Sequence, residues 1–295
     1  MTPDAPSRTA EFMALFRALE TVHGSDRLFT DPFADAFLPP PLHAVVIAAR
    51  FPLAGSVIRG FIDHRWPGAR TSAVARTRLI DDVLTGAIRD GVTQVVILGA
   101  GFDARAYRLP GIERARVYEV DHPATQAAKR SRLEARVGAL PPHVTFVGVD
   151  FDRDDVATAL ARAGFDSKTR TFFTWEGVTN YLTADAVDAT LRWVARAGAP
   201  GSRIVFTYVH RGVIDGSGGF AGTAALASTL SRSGEPWTFG LDPAELPGYL
   251  AERGLALVED VGAAEYRARY LGHPGNGYEF YRAALADVRG AATGR

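Results

Sequence analysis

Three places along the chain combine residue types and spacing that can do chemistry. An apolar run, Gln94–Leu98, leads straight into Gly99-Ala100-Gly101. Glycines at the carboxyl end of a strand let the backbone approach a ligand closely, and their N–H groups favour an anionic one. A second run ends in Glu119-Val120-Asp121. An acidic side chain about twenty residues after the glycines can accept hydrogen bonds from a ribose diol. Asp121 takes that role, and Glu119 reads as a solvated strand-end carboxylate. A later run, Arg203–Val209, closes in Tyr208-Val209-His210-Arg211. His210 is the candidate general base there, and Tyr208 and Arg211 are candidate contacts for a reacting partner.

These residues need a frame. From Thr93 onward, short β-branched runs alternate with helical stretches. The expected strands are Gln94–Leu98, Arg116–Val120, Val144–Val149, Thr171–Trp175 and Arg203–Val209. Helices are expected at Pro123–Val137, Arg153–Ala163 and Ala184–Arg196. Continuous apolar strands separated by helices predict a doubly wound, mostly parallel α/β sheet of seven strands, covered on both faces. Two further strands, Ala256–Val261 and Tyr278–Ala284, complete it. Ahead of the sheet, Phe12, Leu15, Phe16 and Leu19 repeat at helical spacing, and Arg70–Asp90 reads as one long amphipathic helix stopped by Gly91. Residues 1–90 are thus an N-terminal helical cap, and residues 91–295 a catalytic domain with a lid-like insertion at about 211–250. Within that insertion, Ala224–Ser231 and Asp242–Arg253 read as helices, the second with Asp242 as its N-cap.

Composition narrows the chemistry. The 295 residues carry 33 basic and 33 acidic side chains, which removes the electrostatic footprint of a nucleic-acid binder. With no cysteine, disulfides, thiolate catalysis and cysteine-based zinc sites are excluded. His23, His43, His64, His143 and His273 show no paired metal-ligand spacing, so no metal is expected. The most apolar region, Leu42–Ile62, is interrupted by Arg50, Pro52 and Arg59, whereas a membrane span needs roughly 18 uninterrupted apolar residues. No signal peptide is apparent. The expectation is a cytoplasmic protein acting on a small molecule.

Two cofactors fit the first strand. Gly99-x-Gly101-x-x-Ala104 satisfies the relaxed dinucleotide fingerprint, so an NAD-dependent oxidoreductase is one reading. Asp103 argues against it, because a pyrophosphate would meet that carboxylate. S-adenosyl-L-methionine has no phosphate, and its zwitterionic end and sulfonium tolerate an acid there.

The strings ARTRLIDD (Ala75–Asp82), GAGFDARAYRL, EVDHP and WEGVTNYL, in that order, resemble the leucine carboxyl methyltransferase-like branch of the S-adenosylmethionine-dependent O-methyltransferases. The likeness runs from about Asp26 to the last strand. It departs from the family pattern at Leu79, where an aromatic is usual. The resemblance implies that Arg76 pairs with the cofactor's carboxylate and that Gly99 and Gly101 line its methionine portion. It implies that Asp121 takes the ribose hydroxyls, Asp150 and Phe151 hold the adenine, and Glu176 faces the ammonium. Tyr181, like Arg211, is a candidate for orienting an acidic acceptor.

The implied reaction is methyl transfer to oxygen. A carboxylate acceptor is already ionised at neutral pH and needs no base; a phenol or alcohol would call on His210. A non-catalytic cofactor-binding relative is the remaining alternative.

Overall fold

Five consecutive buried residues, Gln94–Leu98, form the central strand β1. In the computed structural model, which describes residues 8–150, 154–220 and 236–289, β1 lies between two parallel neighbours. These are β2 (Arg116–Asp121) and β4 (Thr171–Trp175). The sheet continues with β3 (Val144–Gly148), β5 (Arg203–Val209), β6 (Leu255–Gly262) and β7 (Tyr281–Val288). The seven strands run in the order β3-β2-β1-β4-β5-β7-β6, with β7 antiparallel to both its neighbours. The order reverses between β1 and β4, and ligands of such sheets bind beyond the strand ends at that reversal.

Helices cover both faces, as the unbroken apolar strands require. On one face, Ile80, Leu84 and Ile88 of α4 (Ala69–Arg89) pack with Val95, Ile97, Val117, Phe172 and Val205. On the other, Leu160 of α7 (Val156–Arg162) and Val187, Leu191 and Val194 of α8 (Ala184–Ala197) meet Val96, Phe173, Trp175 and Phe206. Side chains fix the helix starts. Asp155 accepts from Thr158 N at 2.9 Å to cap α7, and Thr183 accepts from Ala186 N at 3.2 Å to cap α8. His122 caps α6 (Pro123–Val137) in the same way, accepting from Ala124 N at 3.3 Å.

The N-terminal helices build a second apolar cluster. Leu15, Phe16 and Leu19 of α1 (Arg8–Thr21) and Val46 and Ala49 of α2 (Pro40–Ala49) join Ala73 and Val74 of α4. Phe102, from the loop after β1, enters this cluster and stacks on Phe37 with ring centroids 4.9 Å apart. The helices therefore close over the glycine loop. The apolar run in α3 (Pro52–Arg65) behaves differently: Leu53, Val57 and Phe61 face outward, and Ile62 carries the burial.

The structure moves the bounds of three elements and adds a helix. The last strand begins at Tyr281 rather than Tyr278, because Tyr278 adopts φ 62° and cannot continue a strand. The helix expected over Asp242–Arg253 is confined to Leu246–Ala251, and Asp242 accepts from Ala244 N in the turn before it. A helix at Ala263–Leu271 was not expected. Its inward side carries Arg267 beside Ala263 and Tyr266, and a buried arginine breaks the apolar period that betrays a helix. The helix α7 begins at Val156 rather than Arg153. The helix read at Ala224–Ser231, and with it part of the lid-like insertion, lies outside the described residues.

Candidate functional site

The carboxyl ends of β3, β2, β1 and β4 bring Asp150, Asp121, the glycine loop and Glu176 into one row. Adjacent strands lie about 4.8 Å apart, so the row extends for roughly 14 Å, a span suited to an extended nucleoside with a tail. Phe151 lies outside the described residues.

The glycines are required by shape. Gly99 adopts φ 63°, and a Cβ there would run into Val178 Cγ2. Gly101 adopts φ 43°, again left-handed backbone. Asp121 ties this loop to β2: its Oδ2 accepts from Gly101 N, and its Oδ1 accepts from His122 N at 2.6 Å. Burial pushes the Asp121 carboxyl up, against the pull of those two N–H groups.

Arg76 and Glu176 meet directly. Arg76, near the start of α4, donates Nε to Glu176 Oε1 at 2.8 Å. Its guanidinium lies 4.4 Å above the ring of Tyr281. Arg78, two residues on, instead pairs with Asp82 on the exposed side. The residues implied to hold the two ends of an amino acid therefore hold each other, a cation and an anion in complementary positions.

A residue absent from the sequence reading completes this arrangement. Arg105, buried beneath the glycine loop, donates Nη1 to Glu176 Oε2 at 2.7 Å and to Asp103 Oδ2 at 2.6 Å. Its Nε donates to Asp81 Oδ1 at 2.7 Å. Asp81 also accepts both terminal nitrogens of Arg108, at 2.6 and 2.8 Å. Arg108 approaches Asp31 at 3.7 Å, and Asp31 accepts Arg17 Nε at 2.9 Å. Four arginines and three carboxylates thus alternate from α1 to the site, with Asp103 a branch on Arg105. Burial opposes ionisation of Glu176, but Arg105 and Arg76 overcome it and hold the carboxyl down to about 2. Asp103 is likewise held at about 2, against burial, by Arg105, Lys129 and Arg17.

This pairing corrects the case built on Asp103, whose charge Arg105 neutralises. What disfavours a pyrophosphate is the helix after the glycines. That helix, α5, has four residues, Arg105–Arg108, and Asp103 Oδ1 already accepts Arg105 N at 2.8 Å. Among the described residues no long helix N-terminus faces the loop.

Glu119 is a second correction. It is 1% exposed rather than solvated, and Lys129 Nζ lies 2.8 Å from it. Burial raises its carboxyl to about 7 even so.

The expected reacting residues separate. Tyr208 is fully buried on the opposite face of the sheet, where its hydroxyl donates to Asp260 Oδ2 at 2.9 Å. Arg211 turns outward to pair with Glu245. Neither reaches the Arg76–Glu176 pair. His210 caps the short helix Arg211–Ile214, its Nδ1 accepting from Gly212 N at 3.0 Å. Tyr181 stays close to the site, its hydroxyl donating to Thr9 Oγ1 of α1 at 3.2 Å. Thr207 faces the site, with Oγ1 accepting from Gly177 N at 2.8 Å. Three tail aromatics, Trp237, Tyr278 and Tyr281, gather beyond Arg76. Their scattered positions give no sequence signal.

Among the described residues no group of three or more acidic or histidine side chains could hold a metal, and no helix is long and apolar enough to cross a membrane.

A buried cation and anion of the kind that suits a zwitterion, set at the reversal of a 3-2-1-4-5-7-6 sheet, make this a candidate site for a nucleoside with an amino-acid tail. Comparison with known proteins agrees. Residues 10–195 match the leucine carboxyl methyltransferase family. A Streptomyces coelicolor protein provisionally named an S-adenosyl-L-methionine-dependent methyltransferase is 38% identical over 251 residues, 81% of this chain and 83% of its own. A Frankia alni protein with the same provisional name is 37% identical over 275 residues, 92% and 89% of the two chains. A solved structure of a provisionally named methyltransferase from Thermobifida fusca shares the fold. Its TM-score is 0.56 over 97% of this chain and 96% of its own, at 18% identity. The chain belongs to the leucine carboxyl methyltransferase family, and it is an S-adenosyl-L-methionine-dependent methyltransferase.

Proposed function

We propose that the protein methylates a carboxylate oxygen of a small organic acid, forming a methyl ester. The family match supports a carboxyl acceptor. The observation that carries the choice of an already ionised acceptor is the commitment of the candidate bases. His210 Nδ1 accepts a backbone N–H, and the Tyr208 hydroxyl is spent on Asp260.

In this reading Arg76 takes the cofactor's carboxylate and Glu176 its ammonium, so each exchanges its present partner for a ligand charge. Arg105 stays on Glu176 throughout. Asp121 accepts from the ribose hydroxyls, and Asp150 with Phe151 borders the adenine. Gly99 and Gly101 leave room beside the methionine portion. When bound, the cofactor supplies an electrophilic methyl carbon on a sulfonium, which the acceptor oxygen takes as a neutral thioether departs. The N-terminal helices, within residues 1–90, serve as a roof that excludes water, and Tyr181 steadies the acceptor from that side. Holding the two reactants in line can supply on the order of 7–11 kcal/mol of the barrier.

The test uses S-adenosylmethionine with a labelled methyl group and a panel of organic acids and phenols. An ester releases its label as methanol in mild base, and the rate stays nearly flat above about pH 6, since the acceptor is ionised there. Base-stable label, with a rate climbing between about pH 7 and 9, overturns the carboxylate reading in favour of a phenol or alcohol.

A further inference from the structure

Aromatic rings form a wall beside Arg76 of the Arg76–Glu176 pair. Arg76 lies 4.4 Å over the ring of Tyr281. Tyr281 faces Trp237, with ring centroids 6.2 Å apart, and Trp237 faces Phe280 at 6.0 Å. Tyr278 stands 5.1 Å from Phe280. Phe280 and Tyr281 are buried, whereas Trp237 and Tyr278 are partly open.

Two features set this wall apart from ordinary core. Trp237 Nε1 is enclosed and has no hydrogen-bond partner among the described residues. An enclosed donor left unpaired carries a desolvation penalty, which a ligand oxygen would relieve. Tyr278 is the one described non-glycine residue with positive φ, at 62°. Such backbone persists where its surroundings hold it, and it gathers at ligand sites. Here Arg267, fully buried, donates Nη1 to Gly277 O at 2.6 Å. Gly68 and Gly277 pass so closely that neither position has room for a Cβ. Trp237 is fixed from the opposite side: Thr238 N donates to Asn180 O at 2.8 Å, beside Tyr181.

We infer that the acceptor is an aromatic carboxylic acid, its ring seated on Trp237, Tyr278 and Tyr281 and an oxygen accepting from Trp237 Nε1. The inference rests on the methyl-transfer reading: a methyl carried by a donor clasped at Arg76 and Glu176 is delivered beside this wall. Flat rings stack on such surfaces, and a short dicarboxylate or a flexible chain gains less from them.

Calorimetry on the full-length protein saturated with S-adenosylhomocysteine tests it, with cinnamate, decanoate and malonate as probes. The expected result is cinnamate binding at least tenfold tighter than the other two. Trp237→Ala should weaken cinnamate at least tenfold, with S-adenosylhomocysteine affinity within twofold of the parent. Trp237→Phe, which keeps a ring and removes the N–H, should fall between them and guards against a folding defect. Decanoate or malonate binding as tightly as cinnamate overturns the inference and leaves the methyltransferase reading standing. So does cinnamate binding that Trp237→Ala leaves unchanged, or no cinnamate binding at all. A parent protein that does not bind S-adenosylhomocysteine removes both.

Discussion

Arg105 Nη1 and Glu176 Oε2 lie 2.7 Å apart beneath the glycine loop, on the opposite side of the carboxylate from Arg76. Glu176 therefore keeps one cation when Arg76 turns to a ligand. This makes Arg105 a structural support, and Arg105→Ala should cost about 3–5 kcal/mol by leaving buried carboxylates uncompensated. Arg78→Ala, which breaks the exposed pair with Asp82 and one donation to Leu28 O, should cost less, about 1–2 kcal/mol. Urea midpoints of the two variants should differ accordingly.

Cofactor affinity should follow the Arg76–Glu176 pair. Loss of a hydrogen bond to a charged group is worth about 1.5–3 kcal/mol, so Arg76→Ala and Glu176→Ala should each weaken S-adenosylhomocysteine binding by roughly 10- to 150-fold. Arg76→Lys keeps the charge but loses the planar fork, and should fall between. If both alanine variants titrate like the parent in calorimetry, these residues do not hold the cofactor.

Stability should vary with pH in two opposed ways. The Glu176 carboxyl is lowered from 4.5 to about 2, so its contribution is present above about 4.5 and is lost as pH falls towards 2. Glu119 is raised from 4.5 to about 7; its contribution is present below about 4.5 and is lost as pH rises through 7. Urea midpoints should therefore fall steeply below pH 4.5 and decline more gently between pH 5 and 8. Glu119→Gln should flatten the second slope and leave the first. A midpoint unchanged between pH 5 and 8 in the parent would contradict the assignment of Glu119.

His210 and Tyr208 offer a test of the missing base. A helix cap can be supplied by asparagine, so His210→Asn should stay within about threefold of parent activity, and His210→Ala should lose about 1 kcal/mol of stability. A general base would cost about 10²–10⁴-fold in either variant. Tyr208→Phe should likewise keep turnover while losing about 1 kcal/mol, because it removes one donor from the Asp260 carboxylate and leaves Arg282 in place. Initial rates beside melting curves separate the two effects.

The strands were readable because a parallel sheet covered on both faces demands unbroken apolar runs, and β1, β4 and β5 match their runs residue for residue. Gly99, Gly101 and Asp121 were singled out from strand ends, whereas Asp150 and Glu176 were implied by the family resemblance. Tyr208 misled because successive strand residues point to opposite faces, so Thr207 turns to the site while Tyr208 turns to the core. Arg105 and Arg267 were hidden for a different reason: a charged side chain looks solvent-facing until the carboxylates or carbonyls that receive it are placed in space. The aromatic wall assembles from positions 237, 278, 280 and 281, which no local period connects.

The sealed Glu119–Lys129 pair has a practical side. The sequence contains two lysines, and Lys129 is 1% exposed, leaving Lys168 as the accessible side-chain amine. Lys168 sits between α7 and β4, at the amino end of that strand and so on the far rim of the sheet from the ligand row. A dye or solid support attached through that side chain would therefore leave the candidate ligand row turned away.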